Sequence, residues 1–184
     1  MADVKIKYKE RDLRRVRSLL SAYPKAVGKV MSRGVNNTTR SARTRIVRTL
    51  AGKTGLTQKI IRGAVYLRYR ASYSRWSSAI GISHRGMSLL RLRARQTKKG
   101  VSYIDPEAGR RTLLPHAFIW ERRGVFVRLG KERLPIEKQF GPALADIYRQ
   151  APSLAAQIQA ETGRELHKNV MTQVRMVLQK ARAS

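Results

Sequence analysis

The sequence predicts an α+β fold, an antiparallel β-sheet of about five to six strands flanked by a long N-terminal helix and a C-terminal helix. Three observations point to it. Apolar and small residues recur at helical spacing from Lys25 to Ala51, period-two alternation broken by glycine and proline turns runs from Ile61 to Leu129, and a helical stripe returns from Ser153. With 184 residues, of which 42% are hydrophobic, the chain suffices for one core. A single domain is therefore expected over 1–184, with helices in 1–55, the sheet in 60–130 with a projecting loop at 96–115, and an arm and C-terminal helices in 131–184.

Val4 to Tyr8 reads either as a short strand or as an unstructured start. Glu10 to Ala22 places Leu13, Val16, Leu19 and Leu20 at steps of three and four, an amphipathic helix with Glu10 and Asp12 at the end its dipole favours. Pro24 ends that element or opens the next. From Lys25 to Ala51 the stripe is Val27, Val30, Met31, Gly34, Val35, Thr38, Ala42, Ile46, Val47 and Leu50, a helix of roughly seven turns. Gly34 to Thr39 has poor helix propensity, so a kink or break is expected there. The run Ala51-Gly52-Lys53-Thr54-Gly55 invites comparison with a phosphate-binding loop. That comparison fails, because Val47 occupies the place of the first glycine and a helix, not a strand, precedes the run. A helix stop at glycine is the better reading.

Beyond Gly55, Ile61 to Arg70 alternates Val65, Leu67 and Tyr69 against Tyr66, Arg68 and Arg70 and reads as a strand. Trp76 to Ile82 is its expected partner. Met87 to Arg95 continues the pattern, with Leu90 and Leu92 alternating against Arg91 and Arg93, and Val101 to Ile104 adds a short strand. Turn signals at Lys99-Gly100, Asp105-Pro106 and Gly109 make 96–115 a projecting hairpin or long loop. Ala117 to Trp120 and Val125 to Leu129 form a hairpin around Arg122-Arg123-Gly124. Arg133 to Ile136 should be extended, since the residue before proline is pushed out of the helical region. Gly141-Pro142 stops this arm and opens a helix with Ala143, Leu144, Ile147 and Tyr148 at helical spacing. The last stripe, Leu154, Ile158, Leu166, Val170, Val174, Val177 and Leu178, is interrupted at Thr162-Gly163 and packs either on the chain's own sheet or on a second subunit.

Charge narrows the function classes. The formal net charge is +29, and no carboxylate occurs between Asp12 and Asp105. Those 92 residues carry 22 Lys or Arg, whereas 105–184 carries 14 against 8 carboxylates. Self-repulsion on this scale is usually neutralised by a polyanion, and nucleic acid is the natural candidate. A solubilising basic surface is the alternative. There is no cysteine, which fits assembly in a reducing compartment, and neither a signal peptide nor an apolar run of about 20 residues is seen, so the protein is read as soluble and without a membrane.

Catalysis finds little support. His84, His116 and His167 are far apart, there is no HExxH, and the carboxylates are scattered apart from Asp105 and Glu107 in an expected turn. No serine sits in a GxSxG-like setting. No catalytic residue, metal or cofactor is expected; a nuclease remains the third and weakest reading. Candidate nucleic-acid contacts are Arg40, Arg43, Arg45 and Arg48 on the long helix, and Arg68, Arg70, Arg91, Arg93 and Arg95 on or beside strands, where alternation with Arg75 would array most on one sheet face. Such charge attracts a duplex without reading its bases. Tyr66, Tyr69, Tyr73 and Trp76 lie among these arginines and serve either sheet packing or stacking on a single strand.

An ordered set of short features runs from Leu89 to Pro142. It comprises a basic, alternating strand ending in Lys98-Lys99-Gly100-Val101-Ser102, the turn Gly109-Arg110-Arg111, the strands Ala117 to Trp120 and Val125 to Arg128, then Gly130-Lys131-x-Arg133-Leu134-Pro135-Ile136, and Phe140-Gly141-Pro142 before a helix. In that order they resemble the minor tail protein Z family of long-tailed bacteriophages, also called tail completion proteins. The resemblance implies a structural virion protein at the head-proximal end of the tail, assembled in the host cytoplasm and completing the tail for joining to a DNA-filled head. It also implies a homo-oligomeric ring of six, with neighbouring neck and tail proteins and genomic double-stranded DNA as partners. In that reading Arg133, Leu134, Pro135, Ile136, Phe140, Gly141 and Pro142 carry subunit or partner contacts. The alternative is a free basic nucleic-acid-binding protein.

Overall fold

The computed structural model describes residues 2–8, 10–121 and 123–183, so Arg122 of the expected hairpin loop lies outside the described residues. The mixed helix and strand class stands, with antiparallel pairing, a long N-terminal helix and a C-terminal helix. The strands are divided among three small sheets of three or four. Contacts sort the chain into two compact units, one made of Met1–Ala2, Val47–Ala64 and Ile82–Ala151, the other of Asp3–Ile46, Val65–Gly81 and Pro152–Ser184. Among the described residues no helix is long and apolar enough to cross a membrane.

The second of these units contains β1 (Ala2–Lys7), α1 (Glu10–Leu19), most of α2 (Pro24–Thr54), β2 (Val65–Tyr69), β3 (Ser77–Ile82) and α5 (Pro152–Arg182). Its sheet runs β1-β3-β2, and the central β3 is buried along nearly its whole length. α2 is continuous, so the break expected at Gly34 to Thr39 does not occur. Tertiary contacts override the poor propensity. Thr38 and Thr39 are fully buried, and their hydroxyls donate to the carbonyls of Gly34 (2.9 Å) and Val35 (2.7 Å) inside the helix. Asn169 of α5 donates to the Thr38 hydroxyl at 2.9 Å, and Thr39 shares a short hydrogen bond with Ser78 of β3. At Gly34 α2 and α5 pack closely, since a Cβ there would lie 2.4 Å from Cγ2 of Val170. α5 likewise runs unbroken through Thr162-Gly163, with Ile158, Thr162, Leu166, Val170 and Val174 forming its buried stripe.

The other unit begins with the last turns of α2, which end as expected at Gly55, where φ is +66° and the amide donates to the Ala51 carbonyl at 3.1 Å. Ile61 to Ala64, expected in a strand, belongs instead to α3 (Gln58–Ala64); the β-branched and aromatic alternation starts only at Val65. β4 (Gly86–Ser88), β5 (Arg95–Thr97), β6 (Gly100–Asp105), β7 (Arg110–Pro115), β8 (Ala117–Trp120), β9 (Gly124–Arg128) and β10 (Ile136–Ala143) follow. They form a three-stranded meander β5-β6-β7 and a four-stranded sheet β4-β10-β9-β8. The 96–115 hairpin is thus the β6-β7 pair with β5 on its edge. Asp105 caps the tip, its Oδ1 accepting the amide of Glu107 at 2.9 Å, which is the solvated turn expected of that carboxylate pair.

Two further expectations are corrected. Leu89 to Ala94 is not a strand but a tight turn, closed by Arg91 and Leu92 amides on the Ser88 and Leu89 carbonyls at 2.9 and 3.0 Å, with Arg93 at φ +56°. Leu89 and Leu92, three apart, share its buried side, a spacing that fits a turn better than period two. Gly141-Pro142 lies inside β10, and α4 (Leu144–Arg149) starts after it. The register shifts between Gly141 and Ala143, an irregularity that accommodates a residue without an N–H.

Candidate nucleic-acid and partner surfaces

The arginines singled out by sequence divide by what their side chains touch. In the unit built on α2 and α5, Arg45 is held between Glu161 (2.9 Å) and Glu165 (3.0 Å), carboxylates one helical turn apart on α5. Each such pair, about one third exposed, contributes roughly 0.2–1 kcal/mol, so the clamp orients Arg45 more than it stabilises. The Arg43 Nε donates to the Val65 carbonyl at 2.9 Å, tying α2 to the start of β2. Arg68 pairs with Asp3. These three have internal partners, and their charges are partly spent within the fold. Arg40 on α2 and Arg70 at the end of β2 are exposed, and among the described residues no carboxylate pairs with them.

The rings near these arginines are engaged as well. Arg75 lies over the Tyr69 ring at 4.6 Å and Arg17 over Trp76 at 5.8 Å, while the Trp76 indole N–H donates to the Tyr73 carbonyl at 2.8 Å. Tyr66 lies across β3 at Gly81, where a Cβ would come within 2.7 Å of its ring. Tyr69 and Trp76 pack against these arginines, while Tyr66 and Tyr73 keep 43% and 60% of their surface exposed.

In the other unit Arg48, Arg91, Arg93 and Arg95 are exposed. Arg91 and Arg93 project from the turn instead of alternating along a strand, so the single arginine-bearing sheet face expected from Arg68 to Arg95 is not formed. Arg95 lies on β5, and the Arg93 carbonyl accepts Nη2 of Arg111 at 3.1 Å.

The arm holds a second group. Arg133, Leu134 and Pro135 are exposed in the connection between β9 and β10; Ile136, Phe140, Gly141 and Pro142 lie on β10 itself. Leu134 and Phe140 are 66% and 56% exposed, apolar side chains with no core to fill. Gly141 faces inward, where a Cβ would lie 2.5 Å from Cδ1 of the buried Leu92, so a larger residue there would have to displace that side chain. Gly141 therefore serves packing, while Leu134 and Phe140 are the exposed apolar members of the arm.

Sequence reasoning missed one cluster. β8, β9 and β10 bring Phe118, Trp120, Phe126 and Phe140 onto one face, because Phe118 pairs with Phe126 and Phe126 with Lys138 across the strands. Phe118 and Phe126 have ring centroids 6.2 Å apart, and Trp120 meets Phe126 edge-on at 5.6 Å. Cations cover the rings: Arg123 lies 4.6 Å from Trp120, Arg128 5.3 Å from Phe118, and Lys138 5.5 Å from Phe140. The alternation of Phe118 and Trp120 around Ile119 was a visible signal; the convergence of three strands was not.

Among the described residues no group of three or more His, Asp or Glu side chains is placed to hold a metal ion. A family model described as prophage minor tail protein Z (GPZ) matches residues 13–180, nearly the whole chain. Neither the curated proteins nor the solved structures give a match.

Proposed function

The chain belongs to the prophage minor tail protein Z family, structural proteins of phage tails, and from that premise we propose that it sits at the head-proximal end of a long tail and completes it for joining to the head. In this reading six copies form a ring, the arm contacts a neighbouring copy or an adjoining neck or tail protein, and the exposed arginines offer genomic double-stranded DNA a positive but non-gripping surface. The role is structural, without catalysis. The observation that carries the proposal beyond the family is the pair of exposed apolar side chains on the arm, Leu134 and Phe140, one of them mounted on a hydrogen-bonded strand. A charge at either position removes the apolar contact without opening a core. Leu134→Asp and Phe140→Asp should give folded protein that fails to restore infectious particles to a phage lacking it, with unjoined heads and tails in negative stain; a normal particle yield refutes the proposal.

The second reading, a free nucleic-acid-binding protein, is favoured by the net charge of +29 alone. Such a protein holds duplex DNA at physiological salt with a steep salt slope, whereas a channel component binds it weakly as a monomer.

A further inference from the structure

We propose that the outer face of the β8, β9 and β10 strands, with the cleft beside it, is a binding site for single-stranded nucleic acid. The tail reading uses Phe140, at one edge of this face, as a partner contact, but neither it nor its DNA surface, which is a duplex surface of scattered arginines, assigns a role to Phe118, Trp120, Phe126 or the cleft. The cleft, about 860 Å³, lies between the β5-β6 turn and the ends of β8 and β9. Lys98, Lys99, Arg128, Lys131 and His116 line it, and among the described residues none that lines it is acidic. Phe118 and Arg128 belong to both cleft and aromatic face, so the two are continuous.

A row of cations leading onto a row of rings suits a ligand that carries negative charge at every step and flat apolar surface between the charges. A single strand has both, its phosphates facing the lysines and its bases stacking on the rings. A duplex hides its base faces in its own stack and would leave Trp120 and Phe140 idle, although they are 41% and 56% exposed. An acidic protein segment could answer the cations but has no general need of the rings. Arg123, Arg128 and Lys138 now rest on those rings; they move aside to meet phosphates as bases take their places.

The chain has two tryptophans, so in a Trp76→Phe background Trp120 alone reports on this face. Phenylalanine keeps a ring beneath Arg17. The full-length protein is titrated, at raised salt, with oligo(dT), with a duplex of equal length and with polyglutamate. Oligo(dT) should quench the Trp120 emission, and the duplex and polyglutamate should not. Trp120→Ala and Phe140→Ala, followed by anisotropy of a labelled strand, should each lower oligo(dT) affinity about tenfold or more, the size of one lost base–ring stack, and leave duplex affinity unchanged. Lys98→Ala should weaken oligo(dT) binding and reduce its salt slope without touching a ring. Leu134→Asp, the variant on which the tail reading depends, should bind oligo(dT) normally, so each proposal can fail alone. Equal quenching by polyglutamate would assign the face to an acidic protein partner. That result, equal quenching by duplex, or unchanged oligo(dT) affinity in both ring variants overturns the proposal.

Discussion

Gly34 and Gly163 are both glycines inside long helices, yet the same substitution should act on them with opposite signs. In open space, glycine to alanine in a helix gains about 1 kcal/mol, because the unfolded chain loses freedom it no longer has to surrender. A Cβ at Gly163 meets nothing within 4 Å, so Gly163→Ala should show most of that gain. At Gly34 the Cβ would lie 2.4 Å from Cγ2 and 3.0 Å from Cα of Val170. Val170 is fully buried and β-branched, with one favoured rotamer in a helix, so it cannot turn away. α2 and α5 must separate, and overpacking of this kind costs roughly 1–3 kcal/mol. The overlap is deep and lies partly against backbone, so a cost near the upper end, less the helix gain of about 1 kcal/mol, leaves Gly34→Ala destabilised by about 2 kcal/mol. Urea denaturation measures both, with a shifted midpoint at unchanged slope as the signature. The double variant Gly34→Ala with Val170→Ala should lose less than the sum of the two single losses. If Gly34→Ala proves as stabilising as Gly163→Ala, the close contact of α2 and α5 is wrong.

Gly100 combines φ +146° with a Cβ position 2.1 Å from the Leu114 carbonyl oxygen. Gly100→Ala should therefore cost about 3 kcal/mol or more, read as a lowered urea midpoint. Burial pushes the Tyr148 hydroxyl above its ordinary value of 10.0, and burial with the charges of Asp105 and Glu107 does the same for Tyr103. The folded chain thus holds these protons more tightly than the unfolded chain. The stabilisation is fully present below pH 10 and is lost as pH rises through the folded values. Ultraviolet titration should show tyrosinate forming late in the folded protein, with a smaller late step in Tyr148→Phe; an unchanged late step in that variant refutes the assignment.

Local signals were legible wherever one residue decides the geometry. Gly124 after the β8-β9 loop, Gly55 at the end of α2 and Gly109 at the β6-β7 tip mark boundaries that the structure keeps, and the strands around them were read close to their ends. The failures came where distant side chains decide. Thr38 and Thr39 argue for a break in isolation, but Asn169 and Ser78 give their hydroxyls partners in the interior. Leu90 and Leu92 alternate with arginines as in a strand, whereas burial selects Leu89 and Leu92. The exposure of Leu134 and Phe140 was legible, because both are apolar in a segment with no core of its own. The aromatic face was not, since its rings meet only through the pairing of three strands.

The buried hydroxyls of α2 have one more consequence. A purely greasy helix can slip by a turn, about 5.4 Å, and find equivalent neighbours. Here such a slip would break the Asn169–Thr38 and Thr39–Ser78 hydrogen bonds and leave the buried Ser78 hydroxyl unmet, at about 1–3 kcal/mol for that group. The rod is pinned lengthwise as well as sideways, so exchanges among exposed residues such as Lys29 and Arg33 change surface charge without letting it drift.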